Sequence, residues 1–168
     1  VLSQTDIVLR LREVSQLNLK EHTMQRLDFG KASPAAYKAL LGVENYVRES
    51  GLEHSLLELV KLRASQINGC GYCVDMHARD ARQAGETERR LYAVAVWRET
   101  PFFSPRERAA LAWTEALTRL SKQPALDADY AALREQFSER EMVDLSLAIA
   151  AINSWNRLAV GFGAQPAA

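Results

Sequence analysis

Apolar residues keep helical spacing over nearly the whole chain, and no clean alternation of apolar and polar residues between turn signals marks a strand. Helix starts are well punctuated. Ser33-Pro34 sets an N-cap before a proline at the first helical position. Ser55-Leu56-Leu57-Glu58, Ser104-Pro105-Arg106-Glu107 and Ser138-Glu139-Arg140-Glu141 each place Ser three residues before Glu, the pattern of a capping box. Gly51 is expected to end the helix that starts near Pro34. Gly85 stands where a left-handed cap would stop a helix, and Thr87 can cap the next one. The pattern predicts helices near 34–49, 55–67, 71–84, 88–97, 105–121, 128–137 and 139–160. Trp97 to Ser104, with Pro101 and two phenylalanines, reads as a packed connection. Val143, Leu145, Leu147, Ile149 and Ile152 cover more than one face of the last helix, so it is expected to be surrounded on most sides. Asp144, Asn153, Asn156 and Arg157 interrupt that run and argue against a membrane span. Ile7, Leu9, Leu11 and Val14 suggest an N-terminal arm or short helix within residues 1–26. The expectation is an all-α bundle of about six to seven helices.

Length narrows this to one domain spanning residues 1–168. An apolar fraction of 48% with 25% charged residues is ordinary for a soluble globular protein. Lys plus Arg total 21 and Asp plus Glu total 21, so the balanced charge removes the footprint of a general nucleic-acid binder and of polybasic membrane attachment. No secretory signal is visible near the start, and the expected compartment is the cytoplasm. There a close cysteine pair points to redox chemistry or metal rather than to structural bracing.

That pair is Cys70 and Cys73. Asn68-Gly69 breaks the helical pattern just before it, which puts Cys70 at a helix start and Cys73 in the first turn. Side chains three apart on a helix are neighbours, and a modest shift at a helix end closes a disulfide between them. Unpaired N–H groups and the positive end of the helix dipole favour thiolate over thiol in that turn. His77, four residues after Cys73, shares its face and can take a thiol proton and pass it to a leaving oxygen. Glu58 lies on the preceding helix. If the two helices fold back about Gly69, Glu58 and His77 fall within roughly one helical turn of the same height. The sequence thus suggests a chain in which Glu58 orients and charges His77, and His77 activates Cys73.

Other uses of these residues stay open. Glu58 is also the last position of a capping box and could serve its own helix. Cys70, Cys73 and His77 could bind zinc with Glu58 or water as fourth ligand, although no second cysteine or histidine pair completes an ordinary structural site. Tyr72 points away from its cysteine neighbours and is expected to pack. Trp97, Trp113 and Trp155 are expected to be core anchors.

The residues resemble the AhpD-like alkylhydroperoxidase branch of the carboxymuconolactone decarboxylase family. The shared pattern is an acidic residue, eleven intervening residues, then C-x-x-C-x-x-x-H, filled here by Glu58, Cys70, Cys73 and His77. Leu62-Arg63-Ala64-Ser65-Gln66-Ile67-Asn68-Gly69, Ser104 to Leu111 and Ile152-Asn153-Ser154-Trp155-Asn156-Arg157 look typical as well. The resemblance covers about Leu27 to Phe162. It implies an all-helical fold that assembles, commonly as trimers or hexamers. It also implies peroxide reduction by a redox-active cysteine pair without haem, flavin or metal. By match to the motif, Cys73 would be peroxidatic and Cys70 resolving, with His77 and Glu58 as proton relay and a lipoyl or thioredoxin-like protein as dithiol reductant. Tyr72 departs from the best-known alkylhydroperoxidases, which have a second histidine there. A general disulfide oxidoreductase, or a redox-sensing or zinc-binding module, is the alternative.

Overall fold

The computed structural model describes residues 9–10, 25–122 and 126–166. The N-terminal arm or helix expected within 1–26 lies outside these, apart from 9–10 and 25–26. Among the described residues the secondary structure is helical, with no strand: α1 Phe29–Ala32, α2 Pro34–Glu49, α3 His54–Asn68, α4 Gly71–Gln83, α5 Glu88–Ala93, a 3-10 helix Val94–Glu99, α6 Pro105–Thr118, α7 Asp127–Arg134 and α8 Glu139–Phe162. The all-α expectation holds.

The punctuation sets most of these boundaries. Ser104 and Ser138 form the expected capping boxes with Glu107 and Glu141. Thr87 caps α5, and Gly51 and Gly85 both take positive φ just beyond helix ends. Two expectations need correction. Residues 88–97 are not one helix: Val96 leaves helical geometry, and the chain tightens to a 3-10 helix that carries Trp97 into the core at 4% exposure. Ser55 does not cap α3, because the helix already begins at His54 with Glu53 at the cap position and no side-chain cap bond. Glu58 is therefore released from the capping role that its sequence position offered.

The core explains where the site can be. Residues 56–62, Ala64 and Ser65 of α3 are all buried, so this helix, rather than α8, is enclosed on every side. Leu57 and Val60 pack with Val47, Trp113, Leu145 and Ile149. Leu59 and Leu62 face the opposite way, toward Leu91, Val94, Trp97 and Leu111. Ala64 meets Cys70, Cys73, Ile152 and Ala159. The last helix is less enclosed than its composition suggests, since Val143 and Val160 remain exposed. No helix of the described residues is long and apolar enough to cross a membrane.

Buried and half-buried ion pairs fasten the helices around α3. Glu115 on α6 receives Arg63 Nε at 2.7 Å and Trp97 Nε1 at 3.0 Å, and also pairs with Arg98. Arg106 lies over the Phe137 ring, donates to both oxygens of Glu53 at 2.9 and 3.2 Å and to Glu141 at 2.5 Å, and reaches the Gln136 carbonyl.

Candidate active site

The turn between α3 and α4 is built by one glycine and four polar side chains. Gly69 adopts φ 66°, ψ 30°, a left-handed conformation that suits glycine. Its N–H donates to the Gln66 carbonyl, and the Cys70 N–H donates to the Ser65 carbonyl at 3.0 Å, the paired bonds of a Schellman cap. Asn156 on α8 braces the turn: its Nδ2 donates to Ser65 Oγ at 3.0 Å, and its Oδ1 accepts from Asn68 Nδ2 at 2.8 Å. Asn68 also donates to Asn153 Oδ1 at 3.0 Å. The Asn153 and Asn156 positions thus act on the cysteine pair through the backbone that presents it.

Cys70 is the N-cap of α4, and its Sγ accepts from the Cys73 N–H at 3.3 Å. The two cysteines are joined by a disulfide with Cα atoms 5.3 Å apart, and both are buried. One turn further along α4, His77 is also buried, and its Nδ1–H donates to Glu58 Oε2 at 2.8 Å. A carboxylate only accepts, so the proton of this bond belongs to the ring, and the lone pair of the neutral imidazole falls on Nε2. Nε2 is buried and has no hydrogen-bond partner among the described residues.

The fold-back about Gly69 therefore brings Glu58 and His77 together as the spacing suggested. Burial alone would push the Glu58 carboxyl up. The hydrogen bond from His77, with the charges of His77, Lys61 and His54, outweighs it and holds the group below its ordinary value. The other Glu58 oxygen lies 3.8 Å from His54 Nε2. Lys61, one turn beyond Glu58, is buried and paired with Glu44 of α2.

A cleft of about 680 Å³ opens onto this group. Cys73, Glu58 and His77 line it, with Phe29, Tyr37 and Trp155 forming an aromatic wall. Trp155 meets Tyr37 edge-on at 5.4 Å between ring centres and Phe29 at 6.4 Å. Trp97 and Trp113 are core anchors as expected, whereas Trp155 faces the cleft. Tyr72 also differs from its expected packing role, since it is 38% exposed and lines the same cleft.

Sequence reading missed His54, Lys61 and the aromatic wall. The first two were within reach, because positions four before and three after Glu58 share its helix face. Glu44, Tyr37 and Phe29 carry no local signal; only the packing of α1 and α2 brings them here. For a metal, Glu58, His77 and the exposed Asp80 come within 4.8 Å of one another, but Glu58 and His77 already satisfy each other, and the two sulfurs are bonded together in this form.

Among the described residues, an all-helical fold carries a cysteine pair at a helix start and a buried carboxylate–imidazole pair one turn away. The comparisons agree: the model of the carboxymuconolactone decarboxylase family matches residues 34–116. YdfG of Bacillus subtilis (strain 168), an uncharacterized protein, is 41% identical over 143 residues, spanning 85% of this chain and 97% of YdfG. ATU0492 of Agrobacterium tumefaciens, a protein of unknown function proposed to be an antioxidant defence protein AhpD, superposes with a TM-score of 0.84 at 47% identity, over 86% of this chain and 99% of that one. A peroxidase-related protein of Ralstonia eutropha JMP134 with an alkylhydroperoxidase AhpD core gives 0.73 at 25% identity, over 83% and 74% of the two chains. This chain belongs to the carboxymuconolactone decarboxylase family and has the AhpD-like fold.

Proposed function

We propose that the protein is a thiol peroxidase that reduces organic hydroperoxides or hydrogen peroxide through Cys73 and Cys70. Its family and the AhpD-like relatives support a peroxidase-related activity. The single observation that carries the finer reading is the buried His77–Glu58 hydrogen bond one helical turn from Cys73, which leaves His77 Nε2 free to hold a proton.

In the reduced protein, His77 Nε2 accepts the Cys73 proton. The thiolate attacks a peroxide oxygen: an S–O bond forms, the O–O bond breaks, and the departing alkoxide or hydroxide takes the proton from His77. Cys73 is then a sulfenic acid. The Cys70 sulfur displaces its hydroxyl, closing the disulfide and releasing water. One hydroperoxide and two thiols give one alcohol, one water and one disulfide. A partner dithiol, lipoyl-bearing or thioredoxin-like, returns two electrons and two protons by exchange. Glu58 stabilises the imidazolium while the proton is held.

Mixing reduced protein with one equivalent of cumene hydroperoxide or hydrogen peroxide tests this. Intact mass should fall by about two hydrogens, and with cumene hydroperoxide the alcohol should appear in equal amount. Unchanged thiols after such exposure overturn the reading. We propose likewise that the chain self-associates, with a solution mass at least twice its 18.8 kDa by light scattering.

A further inference from the structure

Lys61 is the charged side chain that this chemistry leaves unused. It is 5% exposed, and its ammonium meets Glu44 of α2. An ammonium offers three N–H donors. Glu44 takes one, and no other acceptor among the described residues is hydrogen-bonded to Lys61 Nζ. A buried cation with unused donors is costly unless something else calls for it.

Position suggests what does. Glu58 and His77 fix the relative height of α3 and α4 by their contact. From that level, Lys61 is three residues nearer the Gly69 turn on α3, and Cys73 is four residues nearer it on α4. At 1.5 Å per residue, these advances are about 4.5 and 6 Å. Lys61 and Cys73 therefore stand at nearly one level, and both line the cleft. The other charged or titratable groups lining it are Tyr37, Glu44 and Arg48 on α2, His54 and Glu58 on α3, and His77, Asp80 and Tyr72 on α4. From α8 come Ile152, Trp155 and Ala159, none of them charged. Lys61 is the buried one among the permanent cations, since Arg48 is exposed.

Building on the thiol reading of Cys73, we propose that Lys61, clamped by Glu44, is a further positioning residue whose buried ammonium stabilises the Cys73 thiolate of the reduced enzyme. The step is acid–base only. The Cys73 S–H bond breaks, its proton leaves to His77 or solvent, and Lys61 keeps all of its own. A cation beside a cysteine raises the thiolate fraction at neutral pH. Glu44 has the opposite influence on the sulfur, so the two members of this ion pair act with opposite sign. A purely structural pair has no such asymmetry.

The test follows the rate of iodoacetamide alkylation against pH in reduced protein on a Cys70→Ser background, where Cys73 is the one thiol. Lys61→Gln should slow alkylation near pH 7 by about tenfold, the scale of losing one nearby opposite charge. Lys61→Arg should stay near the parent rate. Glu44→Gln, which frees the ammonium, should match or exceed the parent rate. If Lys61→Gln fails to fold, Lys61→Gln with Glu44→Gln leaves no unpaired charge buried and should alkylate about tenfold more slowly than Glu44→Gln alone. No slowing on loss of Lys61, or equal slowing by Lys61→Gln and Glu44→Gln, overturns the proposal. The measurement uses no peroxide. A protein that alkylates as expected yet leaves hydroperoxide intact refutes only the peroxidase reading. One that reduces hydroperoxide with Lys61→Gln unchanged refutes only the role of Lys61.

Discussion

Glu58 Oε2 and His77 Nδ1 meet at 2.8 Å across nineteen positions of sequence, both on buried side chains. Replacing Glu58 by Gln keeps an acceptor for the ring N–H and removes the negative charge. Stability should fall by no more than about 1 kcal/mol, the scale of one hydrogen bond. Peroxide-driven oxidation of Cys73 should slow about tenfold or more, because the imidazolium loses its counter-charge. Stopped-flow oxidation beside urea unfolding separates the two. Wild-type kinetics would leave His77 acting alone.

The cysteines should divide their work unequally. Cys73 shares a helix face with His77, whereas Cys70 sits at the N-cap one turn away. Cys70→Ser should accumulate sulfenic acid on Cys73 after peroxide, trapped by dimedone. Cys73→Ser should leave Cys70 labelled far more slowly. Labelling of Cys70 at the wild-type rate would reverse the assignment.

The aromatic wall should matter for large substrates alone. Trp155→Ala removes the ring that meets Tyr37 and Phe29 beside the cleft. The KM for cumene hydroperoxide should rise about tenfold, as expected when roughly 1–2 kcal/mol of aromatic contact is lost. The second-order rate with hydrogen peroxide should stay within about twofold. Equal losses for both would point to general damage rather than to recognition.

Acid should unfold the protein through its paired carboxylates. Glu141 is pulled down to about 2 from its ordinary 4.5, first by the Ser138 N–H and hydroxyl and then by Arg106. Against burial, Arg90 and the Ser104 N–H hold Glu107 down in the same direction, and Arg106 does so for Glu53. A carboxylate depressed in the folded state stabilises it above the unfolded value and loses that contribution as pH falls through the folded one. Glu141→Gln should therefore be less stable than the parent at pH 7 and at pH 5. The gap should close between 4.5 and about 2, as urea titrations at each pH would show. A gap independent of pH would mean that the charge contributes nothing.

Much of this was legible in the sequence because the signals are local. The Ser104 and Ser138 boxes, the Gly51 and Gly85 stops and the Asn68-Gly69 break each act within a few residues, and the structure follows them. The Glu58–His77 contact was reachable too, since one tight turn fixes two helices of known rise. Ser55 misled because its pattern fits a box, yet His54 already belongs to the helix and Glu58 is turned inward to His77. The enclosure of α3 was not legible, because it depends on α6 and α8 arriving from far along the chain. Glu44 beside Lys61 and the Tyr37–Trp155 wall are long-range pairings of the same kind.

Arg106 carries a consequence for how the molecule comes apart. Its one guanidinium engages Glu53 just before α3, the Gln136 carbonyl just after α7 and Glu141 in the first turn of α8, while its own backbone belongs to the first turn of α6. Helix ends ordinarily fray one at a time, each at little cost to the rest. Here the beginnings of three helices and the close of a fourth share a single clasp, so loosening any one of them strips partners from the others. That corner should open as a unit or remain shut, and the interior that holds α3 upright inherits its all-or-none character.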